Sequence, residues 1–457
     1  MTDTTLAFCR EALQALHLPE EGLTQLEVQG AAQLAAEFPV TDFAVGAIGA
    51  AGLALAQLIN AQSKREPQVV IDRKRASLWF GGSIQPVGWE MPAAWDSIAG
   101  DYKTQNGWIR LHTNAPHHKA VALRVLQCAD NRSAVAEAVA TWSSEALETA
   151  VVAQHGCAAA MRSLDEWRAH PQGKAVAREP LVAWSSTEAS FPSSTWKPDG
   201  QRPLAGLKVL DMTRVLAGPV ATRFLAGYGA NVLRLDPPGW DEAALAPEVT
   251  LGKRCARLDL KSPSGRETFE RLLAEADVLV HGYRPDALER LGYAEVERRT
   301  INPGLIDVSL SAYGWSGPWA GRRGFDSLLQ MSSGIAHCGM QGKPSDHPVP
   351  LPVQALDHAT GYLMAAAVIR SLTWRVTENR ASTARLSLAR VAHSLTELPR
   401  DSIAAVGLAL SSDDFSPVRE ITAWGPANRC QPPLFVEGAP LAWQLPACHL
   451  GSAEPQW

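Results

Sequence analysis

GLKVLDMTRVLAGPVATRFLAGYGANVLRLDPP, residues 206–238, reads as strand, tight turn, helix and strand in one short run. Lys208–Met212 is apolar, carries the β-branched Val209 and ends in Asp211 and Thr213, which predicts a short buried strand. Ala217-Gly218-Pro219 is a turn that leads into a helix, and Pro219 suits a first helical turn, where its missing N–H is not needed. Val220, Phe224 and Leu225 recur at helical spacing, and Gly227 and Gly229 close the helix. Val232–Leu235 then predicts a second strand. A βαβ unit of this kind implies an α/β fold built on a Rossmann-like, open, mainly parallel sheet. It sets the Arg214–Gly218 turn at the carboxyl end of the first strand, where open α/β sheets bind ligands. The stretch has no G-x-G-x-x-G, so it lacks a nicotinamide or flavin fingerprint.

Three further stretches continue the pattern. LGKRCARLDLKSPSGRETFERLLAEADVLVHGYRPDALERLGY, residues 251–293, predicts a helix from Ser264, a strand at Ala276–Val280 and a loop at Gly282–Pro285. INPGLIDVSLSAYGWSGPWAGRRGFDSLLQMSSG spans residues 301–334, and LPVQALDHATGYLMAAAVIRSL spans 351–372, with Asp357 at a helix start. Together these segments resemble class III CoA-transferases, the CaiB/BaiF family that also holds the α-methylacyl-CoA racemases. The resemblance is strongest at 203–372. It implies a Rossmann-like domain, a smaller α+β domain, extended linkers and interlocked homodimers.

Composition narrows the alternatives. The 457 residues suffice for two or three domains, and 46% hydrophobic with 19% charged residues is ordinary for a globular chain. A net charge of −5 gives no nucleic-acid footprint. Seven cysteines without a CxxC pair read as reduced thiols rather than a disulfide frame or zinc site, which suits a cytoplasmic protein. The amino terminus is unlike a signal peptide, and no membrane partner is expected. The apolar run Ala44–Leu58 is too short for a bilayer and reads as a buried helix.

The order of segments is unusual for the family. Residues 1–35 read as amphipathic helices with a turn at Pro19–Gly22. Residues 38–60 hold Asp42 four positions before Gly46, as Asp357 stands four before Gly361, and QVVIDRKRASLWF matches ARLSLARVAHSLTEL in placement. We therefore read residues 1–94 as a partial duplicate of the aspartate-helix region. Residues 95–180 resemble the small domain, and the Ser-, Thr-, Pro- and Trp-rich 181–202 reads as a linker. Residues 203–400 read as the CoA-binding domain with the catalytic aspartate helix, and 401–457 as an extended carboxyl-terminal return.

The resemblance implies the site residues. CoA contacts fall on Leu216 and Ala217, on Leu258, Asp259, Leu260 and Lys261, on Gly282, Tyr283 and Arg284, and on Arg290 and Arg323. Lys253 and Arg254 are further cationic candidates, because CoA phosphates demand charge-assisted hydrogen bonds. The loop before Gly252, PGWDEAALAPEVTL, is short and acidic and lacks the family's Arg and Asn. Asp357 matches the catalytic aspartate. A carboxylate that attacks an acyl-CoA carbonyl gives an anhydride, then an aspartyl-CoA thioester, and so divides one exchange into easier steps. The same residue read without the resemblance is a helix N-cap. Asp42 reads as structural or vestigial, and His358 as a packing residue. The oxyanion site has only weak candidates in Ser333-Gly334 and Gly339–Gly342.

The implied activity is CoA transfer from an acyl-CoA to a carboxylic acid, with CoA as substrate and no tightly bound cofactor or metal. Racemisation of a 2-methylacyl-CoA is the alternative. It needs proton-transfer groups on both faces of the α-carbon, and the racemases' histidine is replaced here by Phe325, which cannot transfer a proton. A catalytically inactive CoA-binding protein is the third expectation.

Overall fold

The computed structural model describes residues 1–187, 196, 201–342, 345–400 and 404–457. Along the chain come β1 (Leu26–Gln29), β2 (Val69–Asp72), β3 (Ile84–Pro86), β4 (Gly100–Lys103), β5 (Trp108–Leu111) and β6 (Ala158–Ala160). They are followed by β7 (Ala183–Thr187), β8 (Lys208–Met212), β9 (Asn231–Asp236), β10 (Lys253–Arg257), β11 (Val278–His281), β12 (Ile306–Ser311) and β13 (Ala381–Ser387). The carboxyl-terminal strands are β14 (Glu420–Thr422), β15 (Gly425–Arg429) and β16 (Leu434–Val436).

Strands β7 to β13 make one seven-stranded sheet in the order β10-β9-β8-β11-β12-β13-β7. All neighbours are parallel except β7, which pairs antiparallel with β13. The fold is thus the mixed α/β, mainly parallel architecture that the opening stretch predicts. The chain leaves β8 toward β9 and β10, then returns to place β11, β12 and β13 on the other side. The strand order therefore reverses between β8 and β11, and the crevice beyond their carboxyl ends is the expected ligand position.

Helix Ala217–Gly227 links β8 to β9, and its turn is tight enough that a Cβ on Gly218 would sit 2.3 Å from Thr213. Val215 adopts φ +66°, a left-handed conformation that strains a β-branched side chain. Its N–H is held by Glu242 Oε2 at 2.9 Å. Helix Ala355–Glu378 crosses behind the turn, and a Cβ on Gly361 would lie 2.5 Å from the Ala217 carbonyl oxygen. Glycine there lets the Asp357 helix approach the β8 turn.

The smaller unit has the antiparallel sheet β4-β5-β6 under helices Pro116–Leu126, Arg132–Val139 and Ser144–Ala153. Its core is Ile98, Tyr102, Ile109, Leu111, Val135 and Val151, among others. Helix Asp326–Ser332 of the large unit packs on β6, where Cys157 and Ala159 meet Leu328 and Met331. That contact carries the amino-terminal end of helix Pro116–Leu126 to the crevice.

The amino-terminal segment departs from the expected pair of helices. Helix Asp3–Ala15 forms, but Glu20–Gln25 is a 3₁₀ turn and Leu26–Gln29 is β1. Strand β1 pairs parallel with β2, and helix Val40–Ser63 crosses between them. This helix is longer than the run Ala44–Leu58. By length and composition it could cross a membrane, yet 94% of its apolar window is buried inside the protein. Residues 183–187, read as linker, are strand β7; of the rest of that stretch, 188–195 and 197–200 lie outside the described residues.

Candidate active site

A cavity of about 360 Å³ opens beyond the carboxyl ends of β8, β11 and β12. Its wall includes Ala217, Gly282, Tyr283, Arg284, Arg323 and Asp357, six of the residues named from the sequence. They arrive from separate segments because each strand of a parallel sheet delivers its following loop to the same edge.

Asp357 is the third residue of helix Ala355–Glu378 and is 7% exposed. Its carboxyl group makes no hydrogen bond or ion pair among the described residues. Its backbone N–H donates to Asp326 Oδ2 at 3.0 Å, so Asp326 caps the start of the Asp357 helix from outside. Asp326 Oδ1 accepts from Gln330 Nε2 at 2.5 Å, and Gln330 Oε1 accepts from Leu351 N at 2.7 Å. Burial, and then the Asp326 charge, pushes the Asp357 carboxyl well above the usual carboxylate range. Burial lifts Asp326 to about 6 against the hydrogen bonds that favour its charge. Two neighbouring acids in a dry site share protons in this way, and the second proton leaves reluctantly.

The cations of the cavity divide by partner. Arg322 is committed to Glu148 at 2.8 Å and to the Ala158 carbonyl at 2.6 Å. Arg214 donates to the Tyr283 hydroxyl at 2.9 Å and stacks on Trp240 and Tyr283. Arg323 donates to the His155 carbonyl at 2.6 Å, and among the described residues neither it nor Arg284 has a carboxylate partner. Burial, and then Arg284, lowers the Arg323 pKa, the signature of guanidinium groups sharing a pocket with no anion between them. Such a pair is suited to phosphate or carboxylate.

The remaining sequence candidates stand apart from the cavity wall. Leu216 is the buried N-cap residue of helix Ala217–Gly227. Leu258, Asp259, Leu260 and Lys261 form the turn after β10, with Leu260 in the core and Asp259 Oδ1 accepting from Lys261 N at 2.9 Å. Arg290 is exposed and ion-paired with Asp286. Lys253 corrects an expectation: its ammonium is sealed in the core, 2.9 Å from Asp211 Oδ2 and 2.9 Å from the Pro219 carbonyl. It braces the β8 turn and cannot reach a ligand. Arg254 sits near the amino end of β10, where it donates to Asn231.

The acidic loop is also spent internally. Glu242 pairs with the buried Arg234 and receives the Val215 and Trp240 N–H groups. Burial would raise Glu248, but Arg223 and Arg429 outweigh it and hold its carboxyl at about 2. These charges fix the turn and do not face the cavity cations.

Arg214 lines the cavity, as its place in the turn after the first strand predicts, whereas the sequence reading passed over Asp326, Trp240, Leu388, His117 and His118, all placed at or beside the cavity. Asp326 lies inside a quoted stretch, beside Phe325. The histidines carry no local signal, because the smaller unit delivers them from far upstream. Phe325 is stacked on His112 at 3.7 Å and meets His118 edge-on at 5.9 Å. His358, expected to pack, is buried against Phe80 at 5.0 Å.

Residues 204–399 match CoA-transferase family III. The probable fatty acyl-CoA transferase Rv3272 of Mycobacterium tuberculosis is 32% identical over 208 residues, 42% of this chain and 52% of that protein. Acetyl-coenzyme A transferase nodX of Hypoxylon pulicicidum is 36% identical over 199 residues, 42% of this chain and 33% of that protein. Succinyl-CoA:glutarate CoA-transferase of Mus musculus is 33% identical over 192 residues, 39% of this chain and 43% of that protein. The chain thus spans about half or less of the length of these relatives. The crystal structure of Rv3272 aligns with 31% identity over 43% of this chain and 57% of that one, at a TM-score of 0.39. The match to CoA-transferase family III covers residues 204–399, less than half of this chain, and does not reach the flanking segments.

Proposed function

We propose that this protein moves CoA from an acyl-CoA thioester to a carboxylic acid, with Asp357 as the nucleophile. One observation carries the reading: a buried carboxyl without a partner opens on the cavity that also holds Arg284 and Arg323. A structural aspartate in that position would be met by a cation or by hydrogen-bond donors, because a buried carboxyl left without partners is costly.

The steps follow from that placement. Asp357, once ionised, attacks the thioester carbonyl; the C–S bond breaks and CoA leaves as thiolate, giving an acyl–aspartyl anhydride. The thiolate attacks the aspartyl carbonyl, releasing the first acid and leaving an aspartyl-CoA thioester. The second acid reverses the sequence. Ala217, Gly282, Tyr283 and Arg284 would lie along CoA, with Arg284 and Arg323 as the cations for its phosphates. Leu216, Leu258–Lys261 and Arg290 enter only as flanking contacts that the bound nucleotide would have to reach. The relatives named as CoA-transferases support this reaction class over racemisation, as does the stacking of Phe325 on His112. No tightly bound cofactor is required.

In this reading the chain is a rearranged pair of partial copies, with residues 1–94 duplicating the Asp357 region. Both aspartate helices start after residues of nearly equal dihedrals, Pro39 at −77°, 64° and Gln354 at −77°, 65°, and end on left-handed Lys64 and Asn379. A homodimer in the cytoplasm completes the proposal, and light scattering measures the mass.

Incubation with acyl-CoA followed by hydroxylamine should convert one aspartate, in the Asp357 peptide, to a hydroxamate found by mass spectrometry. Asp357→Ala should lose exchange by about 10⁴-fold or more while the protein stays folded. Labelling at the Asp42 peptide, or full activity of Asp357→Ala, refutes the reading. Deuterium wash-in at the α-carbon of a 2-methylacyl-CoA without CoA exchange would assign racemisation instead.

A further inference from the structure

When Asp357 attacks the thioester carbonyl carbon, the carbonyl oxygen must become an oxyanion, and its donor is unaccounted for by the glycine runs. His118 is the third residue of helix Pro116–Leu126, is 5% exposed, and shares the cavity wall with Asp357 and Phe325. Its Nε2 lies 3.5 Å from Cys157 Sγ. Its Nδ1 is buried with no hydrogen-bond partner. An unmade buried hydrogen bond costs about 1–3 kcal/mol, so folded proteins keep few of them without a reason.

We propose that His118 is the oxyanion donor of this site, its Nε2 engaged by the Cys157 thiol and its Nδ1–H aimed at the reacting carbonyl oxygen. The proposal rests on the CoA-transfer reading. As the Asp357 oxygen bonds to the thioester carbon, the carbonyl π pair moves onto oxygen, and the Nδ1–H hydrogen-bonds that O⁻ without giving up its proton. When the pair returns, the C–S bond breaks and CoA leaves as thiolate. The same N–H serves each later tetrahedral intermediate.

Three observations support the assignment. Burial pushes the Cys157 thiol up to about 12, so it keeps the proton it donates to Nε2, and the one ring proton of a neutral imidazole then sits on Nδ1. Burial, followed by His117 and Arg323, lowers His118 to about 3, so the ring stays neutral at neutral pH. A neutral donor fixed by packing needs no reorganisation as charge develops, which is where such groups are most effective. Phe325 meets the ring at 71° and His117 lies against it at 4.1 Å, which limits its rotation.

The test compares two replacements in the full-length protein. His118→Phe keeps a flat ring and removes the N–H, whereas His118→Asn keeps an N–H near the Nδ1 position. We expect His118→Phe to lower kcat about 100- to 1,000-fold with KM for acyl-CoA within about threefold of the original. His118→Asn should recover at least about tenfold of that loss, with unchanged thermal melting in both. A His118→Phe protein within about threefold of the original kcat overturns the proposal, as does an equal loss in both variants. If His118→Phe does not fold, the Cys157 pair decides. Cys157→Ser, which keeps a donor to Nε2, should exceed Cys157→Ala in kcat by about tenfold, and equal rates overturn the proposal. Hydroxylamine trapping at Asp357 in the unaltered protein is run first. No adduct there defeats the CoA-transfer reading and this proposal together, an outcome distinct from an adduct that forms regardless of His118.

Discussion

Asp42 and Asp357 open two helices that are alike in every local respect and opposite in what surrounds them. Each is the third residue of a 24-residue helix, and each is followed four positions on by a glycine pressed by a neighbouring helix. The two helices pack on each other. The first joins the parallel strands β1 and β2, the second is the last of three helices between the parallel strands β12 and β13, and each second strand runs into another helix. The first residue of that next helix is Arg73 in one case and Leu388 in the other. Arg73 Nη1 binds Asp42 Oδ1 at 2.9 Å, and Thr5 and Thr2 complete the shell. Leu388 lines the cavity with Asp357 and offers it nothing. Burial would raise Asp42, but Arg73 and the two hydroxyls overcome it and hold its carboxyl below the usual range. A cation and two hydroxyl groups therefore separate an aspartate held ionised from one that holds its proton, more than any feature of the helices themselves.

If that is right, breaking the Arg73–Asp42 pair should cost the most. Arg73→Leu leaves Asp42 buried with hydroxyl partners only, and stability should fall by about 3–5 kcal/mol in urea unfolding. A loss below about 1 kcal/mol would mean that the hydroxyl shell suffices and the comparison is wrong. The reciprocal change, Leu388→Arg, should bring a guanidinium to Asp357 and convert it into a second Asp42. We expect exchange to drop about 100-fold with the fold retained by circular dichroism, because a paired carboxylate is a weaker nucleophile. An unchanged rate would show that residue 388 does not govern the site.

The readable and unreadable parts of the molecule divide along the same line. Lys208–Met212 and the Ala217 helix are legible because hydrophobic spacing and turn chemistry are local. Strand β7 was hidden in a Ser- and Trp-rich stretch because only its pairing with β13 makes it a strand. Leu26–Gln29 was missed for the same reason, since its partner β2 lies beyond a 24-residue helix. At the site, the motif around Asp357 led to a residue that lines the cavity. Lys253 was misjudged because sequence gives charge but not depth, and its ammonium is buried against Asp211. Asp326 was overlooked because its nearness to Asp357 arises from one helix start packed on another.

The smallest effect, and the one that tests the comparison most directly, is the sign of the pH dependence. Asp42 has a depressed folded pKa, so its contribution is present above the ordinary carboxylate value and is lost as pH falls through the depressed one. Asp42→Asn should therefore destabilise at pH 7, with the penalty shrinking in acid. Asp357 has a raised folded pKa, and so does Asp326, at about 6. The folded protein then retains protons that the unfolded chain releases, and stability drains away as pH rises above the ordinary carboxylate value. Asp357→Asn loses no hydrogen bond, because the carboxyl has no partner. It should stabilise the protein by roughly 0.5–2 kcal/mol at pH 8 and by almost nothing at pH 4. Unfolding curves of the two variants across pH 4–8 should thus diverge in opposite directions, about the zero line set by the unaltered protein. Parallel curves would mean that the two carboxyl groups sit in equivalent environments, and that the cation at residue 73 does not distinguish them.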